Sequence, residues 1–176
     1  MNDKQDSRLD FPHIPLVRYT HDFLQAAAMT PTTRLLQSDD FAAWRPLWQQ
    51  YLDFYQTDLD ETVTLHTWQR LTDSEQTDML GLGVFVEGRL SGFTHLVFHP
   101  NTWSAESCCY LEDLCVDAQV RGQGLGRALI QAAQNLAQQK QCCRLYWVTA
   151  RDNHTAQRLY NTLAEQTDFI QYKIGL

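Results

Sequence analysis

Val116-Asp117-Ala118-Gln119-Val120-Arg121-Gly122-Gln123-Gly124-Leu125-Gly126-Arg127-Ala128-Leu129 reads as the end of a strand, a basic glycine-rich turn and the first turn of an amphipathic helix. Glycines at positions 122, 124 and 126 leave a run of backbone N–H groups uncovered by side chains. The helix N-terminus behind them adds a partial positive charge, and Arg121 adds a full one. Such a turn is built to hold a phosphate or pyrophosphate. Spacing removes two familiar ligand classes. A dinucleotide fingerprint needs a third glycine where Arg127 stands, and a nucleotide-triphosphate loop needs Gly-Lys-Ser/Thr where Gly126-Arg127-Ala128 stands.

Outward from this turn, the chain alternates strand and helix signals. Toward the N-terminus, Thr33 to Gln37 suits a short strand. Ser38-Asp39-Asp40 offers a cap for a helix over Phe41 to Phe54, where Trp44, Leu47, Trp48, Tyr51 and Tyr55 recur at helical spacing. A second helix is predicted over Glu61 to Leu71. Three strand signals follow: Leu80 to Val86, a turn at Glu87-Gly88-Arg89, then Gly92 to Phe98 and Ser107 to Val116. Beyond the glycine turn, Leu125, Leu129, Ala132, Ala133 and Leu136 mark a helix with a narrow apolar face. Cys143 to Thr149 reads as an apolar strand, Asp152-Asn153 caps a helix through Leu163, and Phe169 to Ile174 reads as a closing strand. An antiparallel meander followed by a βαβ crossover predicts an α/β (α+β) fold, a single mixed sheet of about six strands flanked by about four helices.

Residues 1–28 look like an N-terminal extension with two prolines and no long periodic stretch, ahead of a domain over residues 29–176. Met29 is a possible internal start. The 176 residues suit one domain with a real core. No run approaches the roughly 18 apolar residues of a membrane span, and the N-terminus lacks the layout of a secretion signal. Five cysteines, four of them in two adjacent pairs, suggest neither a disulfide nor a metal site, so reduced cytoplasmic thiols are expected. The net charge of −7 argues against nucleic acid as a partner. Acidic residues concentrate between Asp39 and Asp78, either as a solvated helix face or as a field that attracts a cation.

Arg121-Gly122-Gln123-Gly124-Leu125-Gly126 resembles the Q/R-x-x-G-x-G/A acetyl-CoA pyrophosphate motif of the GNAT N-acetyltransferases. Tyr110-Leu111-Glu112-Asp113-Leu114-Cys115-Val116 is similar to the preceding strand in polyamine acetyltransferases and their bacterial relatives. Asn153, Ala156, Leu159 and Tyr160 match a helix pattern that follows the fifth strand in that family. The resemblance covers about residues 30–176 and implies a GNAT-like sheet and acetyl-CoA as donor. It implies that the N–H groups from Gln123 to Arg127 hold the pyrophosphate, with Arg121, Gly122, Gly124, Leu125 and Gly126 in the same loop. It implies too that the backbone of Leu114, Cys115 and Val116 pairs with the pantetheine arm. A homodimer follows from the resemblance alone.

Acetyl transfer needs an amine that has lost its proton, and a primary amine with pKa near about 10.4 arrives charged. Glu112 is the candidate base. Strand alternation lets only one of Glu112 and Asp113 face the cleft, and the family's Leu-Glu-Asp pattern favours Glu112. The alternative is an electrostatic or structural glutamate. Asn153, Ala156 and Tyr160 share one helix face. Ala156 leaves room for the cofactor arm, Asn153 is placed to bond a pantetheine amide, and Tyr160 is the candidate acid toward the leaving sulfur. A packed core tyrosine is the alternative. Acyl transfer through Cys115 is disfavoured, because the family transfers directly. His66, His95, His99 and His154 read as non-catalytic. For the acceptor, Asp53, Tyr55, Trp103 and Glu112 are expected to line a pocket for an alkylammonium group, with His99 a possible wall. The expected activity is transfer to a small primary amine, a polyamine or amino-acid-like molecule. A protein lysine or N-terminal acetyltransferase and a non-catalytic acyl-CoA-binding module are the alternatives.

Overall fold

A computed structural model describes residues 30–175. The proposed extension over residues 1–28 and the possible start at Met29 lie outside the described residues. The chain runs β1 (Thr32–Leu35), α1 (Phe41–Phe54), α2 (Glu61–Thr72), β2 (Met79–Val86), β3 (Arg89–His99), β4 (Cys108–Val116), α3 (Leu125–Gln139), β5 (Arg144–Tyr146) and α4 (His154–Tyr160). One mixed sheet has the order β1-β2-β3-β4-β5. Its first four strands are antiparallel, and α3 carries the chain over to β5, which lies parallel to β4.

Each face of the sheet carries its own core. On one side α1 and α2 bury Trp44, Leu47, Trp48, Leu52, Trp68 and Leu71 against Phe85, Leu90, Phe93 and Cys115. On the other, the apolar stripe of α3 (Leu125, Leu129, Ile130, Ala133, Ala137) packs on Leu82, Val84, Leu96, Cys109 and Leu111. The β2–β3 turn at Glu87-Gly88 has φ of 51° and 77°. Two positive values match the right-handed twist of a tight hairpin.

Two expectations fail at the far edge. The strand expected over residues 143–149 forms a ladder only over Arg144–Tyr146, and the closing strand over residues 169–174 does not form. Five strands therefore make up the described sheet. Ile170, Tyr172 and Ile174 alternate as a strand would, yet they and Phe169 stand 65–86% exposed with no strand beside them among the described residues.

The ladders also contain a bulge. His95 pairs with Asp113 but Leu96 pairs with Leu111, so Glu112 is an extra residue in β4 with no partner on β3. It lies two residues past the last β4–β5 pair, Tyr110 with Tyr146. An inserted residue bends its strand and breaks the alternation of side chains. Past that point β4 and the chain after β5 share no ladder bond, and a slot opens between them.

Candidate functional site

The slot has β4 as one wall. From Leu111 to Val116, the bulged Glu112 apart, each residue has a ladder partner on the β3 side only. Leu114 to Val116 therefore have no ladder partner on the slot side; in an antiparallel ladder alternate residues turn their main-chain groups that way, and the Val116 carbonyl is taken up by Arg121. Val116 leads through Asp117 to the glycine turn. Asp117 is buried and fixes the turn twice, accepting from the Gln119 N–H at 3.0 Å and from the Arg89 guanidinium at 2.8 Å.

Gly122 and Gly124 both hold φ near 81°, in the left-handed region where a side chain adds strain. Space is not the reason, since a Cβ there would meet nothing within 4 Å. Gly124 is the N-cap of α3, and the first helical bond runs from the Ala128 N–H to its carbonyl at 3.0 Å. Among the described residues, the N–H groups of Gly122, Gln123, Gly124, Leu125, Gly126 and Arg127 donate to no protein acceptor. Arg121 stands exposed and reaches back to the Val116 carbonyl at 3.2 Å. A run of free donors at a helix N-terminus beside a cation fits a pyrophosphate.

Gly126 serves a different purpose. A Cβ there would stand 3.2 Å from the Leu159 side chain, so its absence lets α3 press against α4. That contact brings Tyr160 to the slot, where it packs edge-on to Trp147 at 5.3 Å. Burial pushes the Tyr160 phenol up to about 12, and the charge of a Tyr55 phenolate adds to the shift. Asn153 caps α4 through its Oδ1, which accepts from the Ala156 N–H at 3.3 Å, while its Nδ2 donates to Thr149 at 3.4 Å. Arg127 turns away to donate to Thr162 at 2.8 Å.

The bulge interrupts the regular alternation on which the expectation of a single cleft-facing carboxylate rests. Asp113 lies on the α1 side, where its Oδ2 meets His95 Nδ1 at 2.8 Å. Glu112 lies near enough that both carboxylates act on the Tyr51 phenol. That phenol is pushed far up by burial, then by the Asp113 charge and a hydrogen bond to Asp113. Tyr55 is shifted upward by burial and by Asp113, and Tyr110 by burial and then Glu112. The Glu112 carboxyl itself is raised above the ordinary range, first by desolvation and then by the Asp113 charge. Two acids thus sit among the phenols of Tyr51, Tyr55, Tyr110 and Tyr146 at the mouth of the slot.

Behind Asp113 runs a buried relay that sequence reasoning missed. Trp44 Nε1–H donates to His95 Nε2 at 3.0 Å. An indole only donates, so His95 Nε2 is an acceptor and the ring proton sits on Nδ1, aimed at Asp113. His95 is therefore a neutral link whose tautomer is fixed by Trp44. A histidine in the middle of an otherwise apolar strand was the available signal, since a buried polar side chain requires partners.

Other expected residues lie apart from this centre. Asp53 projects from α1 into solvent and accepts from Gln49 at 2.9 Å. Its helix position lies roughly 200° around from Tyr51 and Tyr55, away from the sheet. Trp103 is 88% exposed in the β3–β4 loop. There, with Asn101, Thr102, Arg144 and Phe169, it lines an open cleft of about 300 Å³ at the opposite end of β4 from the glycine turn. His99 accepts or donates at Nε2 with the Tyr146 hydroxyl at 2.9 Å, on the wall of the mouth. Cys115 is buried toward α1, its thiol raised to about 11 by burial and pointed at the Leu47 carbonyl at 3.5 Å, which suits packing and not nucleophilic attack.

The sequence profile of the acetyltransferase (GNAT) family matches residues 37–164. A D-amino-acid N-acetyltransferase of Saccharomyces cerevisiae is 33% identical over 141 residues, covering 80% of this chain and 88% of the relative. Two solved structures share the fold. A ribosomal-protein-alanine N-acetyltransferase of Brucella melitensis superposes with TM-score 0.66 at 23% identity, over 84% of this chain and 100% of that one. An aminoglycoside N-acetyltransferase in complex with CoA superposes with TM-score 0.71 at 18% identity, over 83% of this chain and 95% of that one.

Proposed function

The chain belongs to the acetyltransferase (GNAT) family as an acetyl-CoA-dependent N-acetyltransferase, and from that premise we propose that its acceptor is the primary amine of a small cationic molecule, a polyamine or an amino-acid-like compound. The observation behind this reading is the Glu112–Asp113 pair at the β4 bulge, close enough to the Tyr51 and Tyr110 phenols that both charges act on them. Two acids within a ring of phenols favour an alkylammonium over a neutral or anionic acceptor. The D-amino-acid activity of the yeast relative is consistent with a small acceptor.

Acetyl-CoA brings an activated thioester. The N–H groups from Gly122 to Arg127, with Arg121, hold its pyrophosphate, and the free β4 edge over Leu114, Cys115 and Val116 takes its pantetheine amides. Glu112 removes the ammonium proton. Its raised pKa narrows the gap to an amine near about 10.4 and makes it a better base than an ordinary carboxylate. Asp113 holds the cation in place. A β4 N–H near Cys115 or Val116 meets the developing oxyanion. Tyr160, kept protonated by burial, donates to the leaving sulfur; since a thiol has pKa about 8.5, this is a hydrogen bond more than a full proton transfer. Ala156 leaves room beside it, and the Asn153 amide, already engaged as a helix cap, sets where α4 begins.

A reduced cytoplasmic setting fits five free thiols, and a homodimer fits the uncovered side chains of Phe169, Ile170, Tyr172 and Ile174. The test of the acceptor is a panel assay on the purified full chain, with acetyl-CoA and a thiol readout. Polyamines, D- and L-amino acids, aminoglycosides and peptides with free N-termini form the panel. Saturable thiol release with small cationic amines is expected. Release confined to peptides, or none despite cofactor binding, overturns the proposal.

A further inference from the structure

Four of the five cysteines gather at the closed end of the β4–β5 pair, where the two strands meet before parting. Cys109 and Cys142 pack into the α3-side core, and burial pushes the Cys109 thiol up to about 12, which makes it inert. Cys108 and Cys143 differ. They stand 35 residues apart in sequence, on either side of the α3 crossover, with their sulfurs 3.4 Å apart. Cys108 is the buried first residue of β4, paired in register with Arg144, while Cys143 is exposed. The Cys143 N–H donates to the Ser107 carbonyl at 2.9 Å and so extends the parallel ladder by one bond. Asn101 holds the Cys143 sulfur from outside through its Nδ2 at 3.5 Å, and is itself tied to the Glu106 carbonyl at 2.8 Å. Burial and the hydrogen bond with Cys143 raise the Cys108 thiol above its ordinary value, and the neighbouring Arg144 guanidinium offsets part of that rise.

We propose that Cys143 and Cys108 form a peroxide-oxidisable thiol pair that closes reversibly to an intrachain disulfide between β4 and β5. A disulfide needs its sulfurs about 2.05 Å apart, so the exposed Cys143 side chain has a little over an ångström to travel. The reactants are two thiols and hydrogen peroxide. The Cys143 thiolate attacks the O–O bond, becoming a sulfenic acid as one oxygen leaves as water. The Cys108 sulfur then attacks that sulfenic sulfur and expels a second water. Two electrons pass from the sulfur pair to peroxide, and a dithiol reductant returns them. The bond would staple the two strands at the hinge from which the slot opens.

The test uses the purified full chain, treated with a small excess of hydrogen peroxide and then alkylated. Free thiols should fall from five to three. Peptide mapping without reductant should show one cross-linked species holding Cys108 and Cys143, lost on dithiothreitol. Cys143→Ser should abolish the cross-link and keep four thiols, and Cys142→Ser should leave the cross-link in place. Because wild type and Cys143→Ser decide the question, a Cys108→Ser variant that fails to fold leaves the result intact. Sulfinic acid at Cys143 without a bridge, a Cys143–Cys143 link between chains, or a bridge to Cys109 or Cys142 would overturn it.

Discussion

Replacing His95 with leucine removes the middle of the Trp44–His95–Asp113 relay while keeping its bulk near that of the imidazole. Two groups then lose a partner. The Trp44 Nε1–H, on a residue with no exposed surface, loses its acceptor at 3.0 Å. Stranding a buried donor costs about 1–3 kcal/mol. Asp113 loses an N–H at 2.8 Å, and a hydrogen bond to a charged acceptor contributes about 1.5–3 kcal/mol. The Asp113 side chain keeps 14% exposure and the nearby Tyr51 hydroxyl, so water and phenol recover part of the second loss. The expected destabilisation is about 3–5 kcal/mol, a large share of a typical domain's stability. Trp44→Phe alone should cost about 1–3 kcal/mol for the orphaned His95 Nε2, plus a cavity contribution. In the double variant neither orphan at the indole–imidazole bond remains. Its cost should fall short of the sum by about 1 kcal/mol or more. Urea unfolding at pH 7, with unchanged slope, reads all three. A His95→Leu midpoint within error of wild type, or strict additivity in the cycle, refutes the relay.

Asp113→Asn should move the acid limb of kcat/KM to lower pH. Glu112 works as a base only when ionised, the Asp113 charge raises its pKa, and a neutral amide removes that contribution; a limb that stays or rises contradicts the assignment. Gly124→Val forces a β-branched residue to φ near 81° and should raise KM for acetyl-CoA by roughly tenfold or more with a smaller effect on kcat. Tyr160→Phe should lower kcat by about tenfold or more with cofactor affinity nearly intact, and an equal rate would remove its role toward the sulfur. Asp40 accepts from the Gln37 N–H and from Arg34, and its carboxyl is held below the ordinary range chiefly by Arg34. Its stabilisation is complete above the unfolded carboxylate pKa and is lost as pH falls through the lowered folded value. Asp40→Asn should thus cost up to about 1 kcal/mol at pH 7, since Arg34 is largely exposed, and little in acid, by urea titration at both pH values.

Local chemistry decided what was legible beforehand. The helix over Phe41–Phe54 follows from its own spacing of tryptophans and tyrosines, and the Glu87-Gly88 hairpin from its own turn residues. The glycine turn likewise carries its conformation within six residues. Strand ends are different, because a ladder needs a neighbour. Trp147, Val148 and Thr149 have strand composition, but β4 has already bent away at Glu112, so they pair with nothing. Residues 169–174 carry the alternation and lack the partner. The acceptor side was hardest to read for the same reason. His95 lies 18 residues from Asp113 and 51 from Trp44, and only the register of β3 on β4 and the packing of α1 bring the three together. The Cys108–Cys143 contact also depends on register, which is why comparing adjacent cysteines could not find it.

A single inserted residue explains most of the difference between the sheet expected from alternation and the site observed. Without the bulge, alternation carried straight through Glu112 would place Asp113 and Tyr110 on opposite faces, sending Asp113 away from His95. With it, Tyr110, Asp113 and Cys115 all lie toward α1, while Leu111, Leu114 and Val116 lie toward α3. Each core keeps its apolar residues on both sides of the insertion. The bulge also bends β4 where pairing with β5 ends, so the same residue that carries the candidate base marks the start of the free backbone edge. Base, cation anchor and cofactor edge are thus coupled through one backbone irregularity. A substitution that merely changes the Glu112 side chain tests the base, whereas deleting the residue would keep Leu111 on Leu96 and Asp113 on His95 and remove the bend itself.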